Sequence, residues 1–307
     1  MGIWALFAFA NAVSNSVYNA VAKQVVSLKH YSQYTITIWG ALLASFVLFA
    51  ANFALGFPEI DSRFWAVSLT TGVLNGIASP LMLKAYDLGV FSSVYSKILL
   101  TPVFMLLTSF LLLGEQPSLL GIFGVLLTVC GLWVISGKNI KSEPKAIEGV
   151  VSVLNETEKK KVKDLRKAEL LGILVAFIYS ISVNYDKLSA AYSNAVFAPA
   201  VSFVFVALTN IAYLLIVRKP SGIIPTERHA LSHVRYLLLV GAILGGSSIL
   251  HNLALLNGPA AYTIAIKRIA VLFGVFWGWR FFKEKEVGRK ALGALVAVLG
   301  VLMIIFA

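Results

Sequence analysis

The sequence predicts an all-α membrane protein of ten transmembrane helices, arranged as two inverted five-helix repeats. Three observations lead to this prediction. Of the 307 residues, 59% are hydrophobic and only 13% are charged. The apolar runs have the length that a bilayer span needs, roughly 20 residues, and the two halves of the chain match at a constant offset. A mean hydropathy of +0.84 separates this composition from that of soluble globular domains.

Ten apolar runs predict the helices. They cover residues 3–23, 33–55, 64–86, 91–113, 118–136, 168–188, 195–217, 235–256, 259–281 and 288–306. The first run has no basic residues before it and no evident small-residue cleavage site, so we expect a retained helix rather than a signal peptide.

One long polar segment separates the first five helices from the last five. We therefore divide the chain into a first repeat at 1–137, a charged linker at 138–167 and a second repeat at 168–307. Hydrophobic residues at near-helical spacing in the linker allow a short helix on the membrane surface. A flexible charged tether is the alternative, because its lysines would be solvated in either case.

The two halves match when the first is shifted by 169 residues, without a gap. This offset places Gly72 on Gly241, Gly76 on Gly245, Ser79 on Ser248, Gly89 on Gly258, Glu115 on Glu284, Gly124 on Gly293 and Gly131 on Gly300. A constant offset of this kind indicates an internal duplication. Since each half has an odd number of helices, the second must cross the bilayer in the opposite sense, as inverted repeats do.

The basic residues predict the orientation. All but five of the 26 lysines and arginines fall in the loops after helices 1, 3, 5, 7 and 9. Arg63 and Lys187 lie on the other face, and Lys97, Lys267 and Arg268 lie within helices. By the positive-inside rule the crowded face is cytoplasmic, so both termini are expected outside. The net charge of +12 is explained by these loops and does not indicate nucleic acid as a partner.

The three embedded cations point to an internal cavity. A charge at the bilayer centre costs about 2.5 to 3.5 kcal/mol, so such residues usually face a protein interior or water. Lys97 and Lys267 are equivalent to within one residue under the repeat. No acid is expected at a similar depth, since Asp87 and Asp186 lie near predicted helix ends. The alternatives are lysines that reach the membrane surface, or a pairing of one lysine with Asp186.

Polar side chains at similar depth concentrate in helices 1, 4, 6, 8 and 9, whereas helices 5 and 10 are almost wholly apolar. Taken singly, each is more often an interhelical hydrogen-bonding group than a ligand. Together they predict a polar cavity. The predicted substrate-binding residues are Lys97, Lys267, Arg268, Tyr95, Tyr262, Asn15, Asn19, Asn184, Tyr185 and His251.

Two stretches carry a resemblance to a known family. GEQPSLLGIFGVLLTVCGLWVI at 114–135 and KEKEVGRKALGALVAVLGVLMII at 283–305, with the order of the helices, resemble the EamA family of the drug/metabolite transporter superfamily. AIKRIAVLFGVFWGWRFFKEK at 265–285 is similar to one subgroup. The resemblance implies a metabolite transporter and leaves the substrate open. It also implies cytoplasmic termini, contrary to the count of basic residues.

We therefore expect a secondary or exchange transporter that moves a small polar metabolite, anionic in character, by alternating access. Lys97, Lys267 and Arg268 would hold its carboxylate or phosphate. The alternatives are a transporter of neutral or zwitterionic amino acids and a non-transporting membrane subunit or lipid-handling scaffold.

The remaining expectations concern chemistry and partners. The sequence has no HExxH, no pair of cysteines and no GxxxxGK[ST] motif, so neither an enzyme nor a cofactor or metal site is predicted. The expected partners are the small-molecule substrate and the lipid bilayer, with a homodimer left open. The expected location is the cell membrane, either a plasma membrane or a bacterial inner membrane.

Overall fold

The computed structural model describes residues 2–27, 31–89, 94, 97–136, 156–219, 223, 234–270, 273 and 287–307. Within these ranges the regular structure is entirely helical. The helices are α1 (Ile3–Ser27), α2 (Gln33–Leu55), α3 (Phe64–Leu88), α4 (Thr101–Leu113), α5 (Leu119–Ser136), α6 (Glu156–Ala191), α7 (Phe197–Ile216), α8 (Val234–Asn257), α9 (Ala260–Lys267) and α10 (Val287–Ile305).

Five of these helices contain a segment long and apolar enough to cross a membrane. The segments are Gln33–Leu55, Phe64–Leu88, Val162–Ala191, Phe197–Ile216 and Arg235–Asn257. Three shorter apolar helices cover Thr101–Leu113, Leu119–Val134 and Leu292–Ile305. The all-helical class is confirmed, and ten membrane crossings stay a prediction.

The helix α6 begins earlier than its apolar run. It is a single helix of 36 residues from Glu156 to Ala191, so residues 156–167 of the predicted linker continue directly into it. The Lys, Glu, Arg and Leu residues of this stretch have high helix propensity, which explains why the helix continues beyond its apolar part. The rest of the predicted surface helix lies outside the described residues.

Helix contacts follow a twofold relation between the halves. α1 packs against α8, and their equivalents in the other half, α6 and α3, pack in the same way. Likewise α2 contacts α8 and its equivalent α7 contacts α3. α1 also contacts α9, and α6 contacts α4. The pairs α2–α7, α4–α9 and α5–α10 join equivalent helices to each other. The duplication in the sequence is therefore repeated in the packing.

Contacts between connecting segments show that successive helices alternate in direction. The Asp61 N–H, before α3, donates to the Tyr192 carbonyl oxygen, after α6, at 3.1 Å. The Ala260 N–H of α9 donates to Glu115, between α4 and α5, at 2.9 Å. We call this side of the bundle the Glu115 end. At the opposite end, the Trp39 indole N–H of α2 donates to the Ile223 carbonyl oxygen at 2.9 Å.

The glycines of α3 and α8 allow close helix contacts. A Cβ added to Gly76 would lie 2.8 Å from the Thr209 Cβ on α7, and one on Gly245 would lie 3.3 Å from the Ala44 carbonyl oxygen on α2. Gly72 and Gly241, one turn earlier, meet α7 and α2 still more closely. These small residues therefore set the distance between helices in both halves.

Two helices that the sequence predicts as continuous, 91–113 and 259–281, are interrupted. The described part of the first turns at Leu99 and Leu100, and the second turns at Arg268 and Ile269. The Leu100 N–H donates to the Lys97 carbonyl oxygen at 3.1 Å, and the Ile269 N–H donates to the Ile266 carbonyl oxygen at 3.0 Å. Both bonds are of the tighter 3₁₀ type, and the two positions differ by the 169 residues of the repeat.

The first interruption has a covalent cause. Pro102 has no N–H to offer to the Ile98 carbonyl oxygen, and the Thr101 hydroxyl donates to that oxygen instead at 2.7 Å. No proline occurs at the equivalent place in the second half, so hydropathy alone could not indicate the second interruption.

Candidate functional site

A cavity of about 220 Å³ lies inside the bundle. Beside apolar residues, its lining includes polar or charged side chains of seven helices. These are Asn15, Tyr18 and Asn19 of α1; Thr37 of α2; Asn75, Ser79 and Tyr86 of α3; Tyr179, Ser182, Asp186 and Ser189 of α6; Ser202 of α7; Ser248, His251 and Asn252 of α8; and Lys267 of α9 with the adjacent Arg268. α5 and α10 contribute nothing to the lining, in keeping with their apolar sequences.

The two cations of the cavity lie where α9 ends. Lys267 is the last residue of the helix and Arg268 is the first residue of the turn that follows. Arg268 is only 8% exposed, and its Nη2 donates to Thr101 Oγ1 at 3.0 Å. Since Thr101 begins α4, this bond joins the interruption of one half to that of the other.

Asp186 brings a carboxylate to the same cavity. Its Oδ1 accepts a hydrogen bond from Thr71 Oγ1 of α3 at 2.5 Å. Its Oδ2 lies 3.7 Å from His251 Nε2 of α8. From the sequence, this acid was expected only near a helix end or as a partner for a lysine. An acid five residues before the end of a long helix gave no sign that it would line the cavity.

A short network holds Asp186 in place. Thr71 Oγ1, which donates to the carboxylate, accepts from Asn75 Nδ2 at 3.1 Å. Asn75 Oδ1 in turn accepts from Ser182 Oγ at 3.1 Å. Ser182 and Asp186 are four residues apart on one face of α6, so the chain of bonds closes between α3 and α6. The carboxylate is therefore positioned by a neutral donor, Thr71, which Asn75 and Ser182 hold in turn.

Half of the predicted substrate-binding residues line this cavity. They are Asn15, Asn19, His251, Lys267 and Arg268. Asn19 Nδ2 donates to the Asn15 carbonyl oxygen at 2.8 Å and to Asn15 Oδ1 at 2.9 Å, so the two amides of α1 form one polar patch.

Lys97 lies away from the cavity. Its Nζ is 4.0 Å from Glu169 Oε2 of α6, while its neighbour Ile98 reaches the cavity lining. Tyr185 is partly exposed and is not among the residues that line the cavity. Tyr95 lies outside the described residues.

Asn184 and Tyr262 make contacts between helices outside this cavity. Asn184 is fully buried and donates to Thr108 Oγ1 at 3.1 Å and accepts from Ser109 Oγ at 2.8 Å, which fixes α6 against α4. The Tyr262 hydroxyl accepts from the Ser118 N–H at 3.1 Å. Tyr262 faces a second cavity of about 220 Å³ at the Glu115 end.

A charged contact lies beside that second cavity. Lys187 Nζ donates to Glu115 Oε1 at 2.6 Å and to the Gly258 carbonyl oxygen at 2.8 Å. Glu115 Oε2 accepts from the Ala260 N–H, the first residue of α9, where the positive end of the helix dipole favours a carboxylate. We call Glu115, Lys187, Gly258 and Ala260 the clasp, because they join the two halves at the Glu115 end.

Comparison with known families decides the class of the protein. The model described as the EamA-like transporter family matches residues 2–137 and 166–306. The chain belongs to the EamA-like transporter family. EamA proteins are part of the drug/metabolite transporter superfamily and are membrane transporters of small molecules rather than enzymes, so this EamA chain is an integral membrane protein of that kind.

Solved structures support the EamA fold. Twenty-seven chains match; one, described as "Crystal structure of protein", has a TM-score of 0.71 and 16% sequence identity, and the match covers 99% of this chain and 97% of that one. At this identity the likeness concerns the fold alone. Comparison with curated protein sequences gives no match.

Proposed function

We propose that this EamA protein is a secondary or exchange transporter that carries a small organic anion through the cell membrane by alternating access, with all ten helices crossing the bilayer. The observation that carries the proposal is the placement of Lys267 and Arg268, adjacent in sequence, on the lining of one internal cavity. Cations in such a place stabilise a carboxylate or phosphate strongly, because little water screens them and the local dielectric is low.

The size and charge of the cavity limit the substrate. Its volume of about 220 Å³ is below the usual range for drug-sized ligands, about 300 to 1,000 Å³. Asp186 offsets one of the two cations, which leaves one formal positive charge when His251 is neutral. A small metabolite with at least one anionic group fits both limits, and Asn15 and Asn19 can donate to its other oxygen atoms.

Alternating access is supported by the relation between the halves. Interrupted helices that meet near a central cavity recur in transporters built from inverted repeats. Here both interruptions border the cavity through Ile98 and Arg268. We infer that the halves move against each other around these turns, while the cations keep contact with the anion.

The first test is substrate counterflow in liposomes that contain only the purified protein. The probes are succinate, inorganic phosphate and glucose 6-phosphate, with leucine as a neutral comparison. We expect flux of at least one anion, and a fall of more than about tenfold in the variant Lys267→Gln, since removing one partner of a desolvated charge pair costs about 2 kcal/mol or more.

The matched control is Lys84→Gln. Lys84 pairs with Asp87 at 3.1 Å on an exposed helix end, so its loss should leave flux unchanged. Equal flux in wild type and Lys267→Gln would contradict the proposal. Lys97 remains a predicted ligand, and the variant Lys97→Gln tests this prediction. A fall in flux as large as that of Lys267→Gln would show that Lys97 takes part in substrate binding.

A zwitterionic amino acid is the second candidate, and Asp186 is the observation that favours it. A carboxylate facing Lys267 and Arg268 within one cavity can hold the ammonium group while the cations hold the carboxylate. Alanine and glutamate added to the same counterflow panel separate the candidates. Flux of alanine without flux of succinate or phosphate would favour the zwitterion over the anion.

A further inference from the structure

Asp186 and His251 are titratable groups of the cavity to which anion binding alone gives no role. His251 Nε2 faces Asp186 Oδ2 at 3.7 Å. His251 Nδ1 is buried and has no hydrogen-bond partner among the residues that the structure describes. The residue as a whole is 9% exposed. An imidazole and a carboxylate that face each other in a cavity form a coupled pair able to hold one additional proton.

The surroundings of the pair are of mixed charge. Described titratable or charged groups that line the cavity with it are Lys267 and Arg268 at the end of α9, Tyr179 on α6 itself, Tyr18 on α1 and Tyr86 on α3. The lining from α2 and α7, and Ile98 before α4, adds no titratable group. The other lysine near the end of α6, Lys187, is held by Glu115 in the clasp.

The charges of these groups set which anions are neutralised. With the tyrosines and His251 neutral, Lys267, Arg268 and Asp186 leave one net positive charge, which balances a monovalent anion. A divalent anion would leave one negative charge uncompensated. An uncompensated charge in a water-poor site is costly, and a titratable group usually changes its protonation instead.

We propose that the Asp186–His251 pair takes up one proton when a divalent anion enters the cavity, so that anion and proton cross the membrane together. The proton comes from water on the side where the anion enters. It binds as an N–H or O–H of the pair, and it leaves to water on the other side with the anion. This inference rests on the proposed anion transport and adds its coupling ion.

The first measurement is proton uptake by purified full-length protein in weakly buffered detergent solution with a pH-indicating dye. Succinate is the divalent probe and acetate the monovalent one, both near neutral pH. We expect about one proton per succinate bound and far less per acetate, as charge balance requires. Uptake should be lost in Asp186→Asn, which balances the divalent anion without a proton, and should fall in His251→Gln. The control Asp61→Asn, at a partly exposed acid outside the cavity, should keep it.

The second measurement is succinate uptake into liposomes under an imposed pH gradient. Wild type should be stimulated several-fold when the side of entry is acidic, and Asp186→Asn should respond little to the gradient. Succinate binding without proton uptake, or proton uptake that persists in both variants, would overturn the coupling while leaving anion transport intact. If none of succinate, inorganic phosphate and glucose 6-phosphate binds or crosses, the proposed anion transport is wrong, and the proton coupling that rests on it is wrong as well.

Discussion

The Glu115 carboxylate is held by groups from two other segments of the chain. Its carboxylate accepts from Lys187 near the end of α6 and from the Ala260 N–H at the start of α9. Glu115 and Lys187 have side chains only 19% and 23% exposed, so solvent weakens their attraction less than that of a surface pair. Because Ala260 is the first residue of α9, the carboxylate also lies at the positive end of that helix's dipole, which stabilises it.

A double-mutant cycle on Glu115→Gln and Lys187→Gln measures this interaction. We expect a coupling free energy of about 1 to 2 kcal/mol in the unfolding of the detergent-solubilised protein, because the pair is short and partly buried. The pair Lys84–Asp87, with side chains 42% and 31% exposed, is the matched comparison and should couple by about 0.5 kcal/mol or less. Equal couplings would show that the clasp is no stronger than a surface ion pair.

At this scale the sequence predicted residue types better than residue positions. Lys267, Arg268 and His251 line the cavity. Ionisable side chains inside membrane helices usually face the protein interior or water rather than lipid, so a hydropathy pattern is enough to predict their location. Asp186 was not predicted as a site residue. Its place depends on Thr71 and Asn75 of another helix, and such long-range contacts leave no local signal. Asn184 is the opposite case, because it was predicted as a ligand and instead makes hydrogen bonds between helices. A buried amide in either role looks the same in the sequence.

The helices are held together at points that the repeat defines. Gly241 of α8 lies against Leu43 of α2, and Gly246 of the same helix has nothing near the place of an added Cβ. Because the Leu43 contact involves its Cβ and the α2 backbone is also close, a side chain at position 241 must push α8 and α2 apart. The same relation holds for Gly72 against α7 in the first half.

Substituting Ala at these two glycines should therefore have opposite effects. Gly241→Ala should lower the free energy of unfolding by about 1 to 3 kcal/mol, the usual cost of overpacking. Gly246→Ala should raise it by about 0.5 to 1 kcal/mol, because Ala loses less conformational entropy in a helix. Chemical unfolding followed by circular dichroism gives both values. A stabilising Gly241→Ala would contradict the close contact.

Of the interruptions in the predicted helices 91–113 and 259–281, only the first has a sign in the sequence. Pro102 marks the first because a proline removes a backbone donor whatever its surroundings. The second has no proline, and there the Arg268 guanidinium donates to Thr101 in the other half. A contact between the halves has no local sequence pattern, so the sequence alone could not indicate it.

For the whole molecule, the described contacts place both chain termini at the Glu115 end. Trp4 lies against Gly258 there, and α10 runs antiparallel to α5, with Ile304 beside Gly124 and Ala297 beside Gly131. Architecture at this scale was predicted well, because the ten apolar runs and the 169-residue offset are properties of the chain that packing does not change. The side of the membrane on which this end lies stays a prediction from the count of basic residues.

The count of basic residues predicts that the Glu115 end faces outward. We expect a cysteine introduced as Glu59→Cys in a Cys130→Ala background to react with an impermeant maleimide in intact cells. Lys84→Cys, at the opposite end, should react only after the membrane is permeabilised. The reverse labelling would place the termini in the cytoplasm, as the family resemblance implies.

The clasp has a consequence for the resting state of the transporter. In a carrier made of two matching halves, closure at either face would be equally favourable if every contact were duplicated. The position equivalent to Lys187 in the first half is Tyr18, so the repeat does not place a second ammonium at the equivalent position. We expect the Lys187–Glu115 contact to make the empty carrier favour the conformation that is closed at the Glu115 end. Substrate would then enter more often from the opposite end.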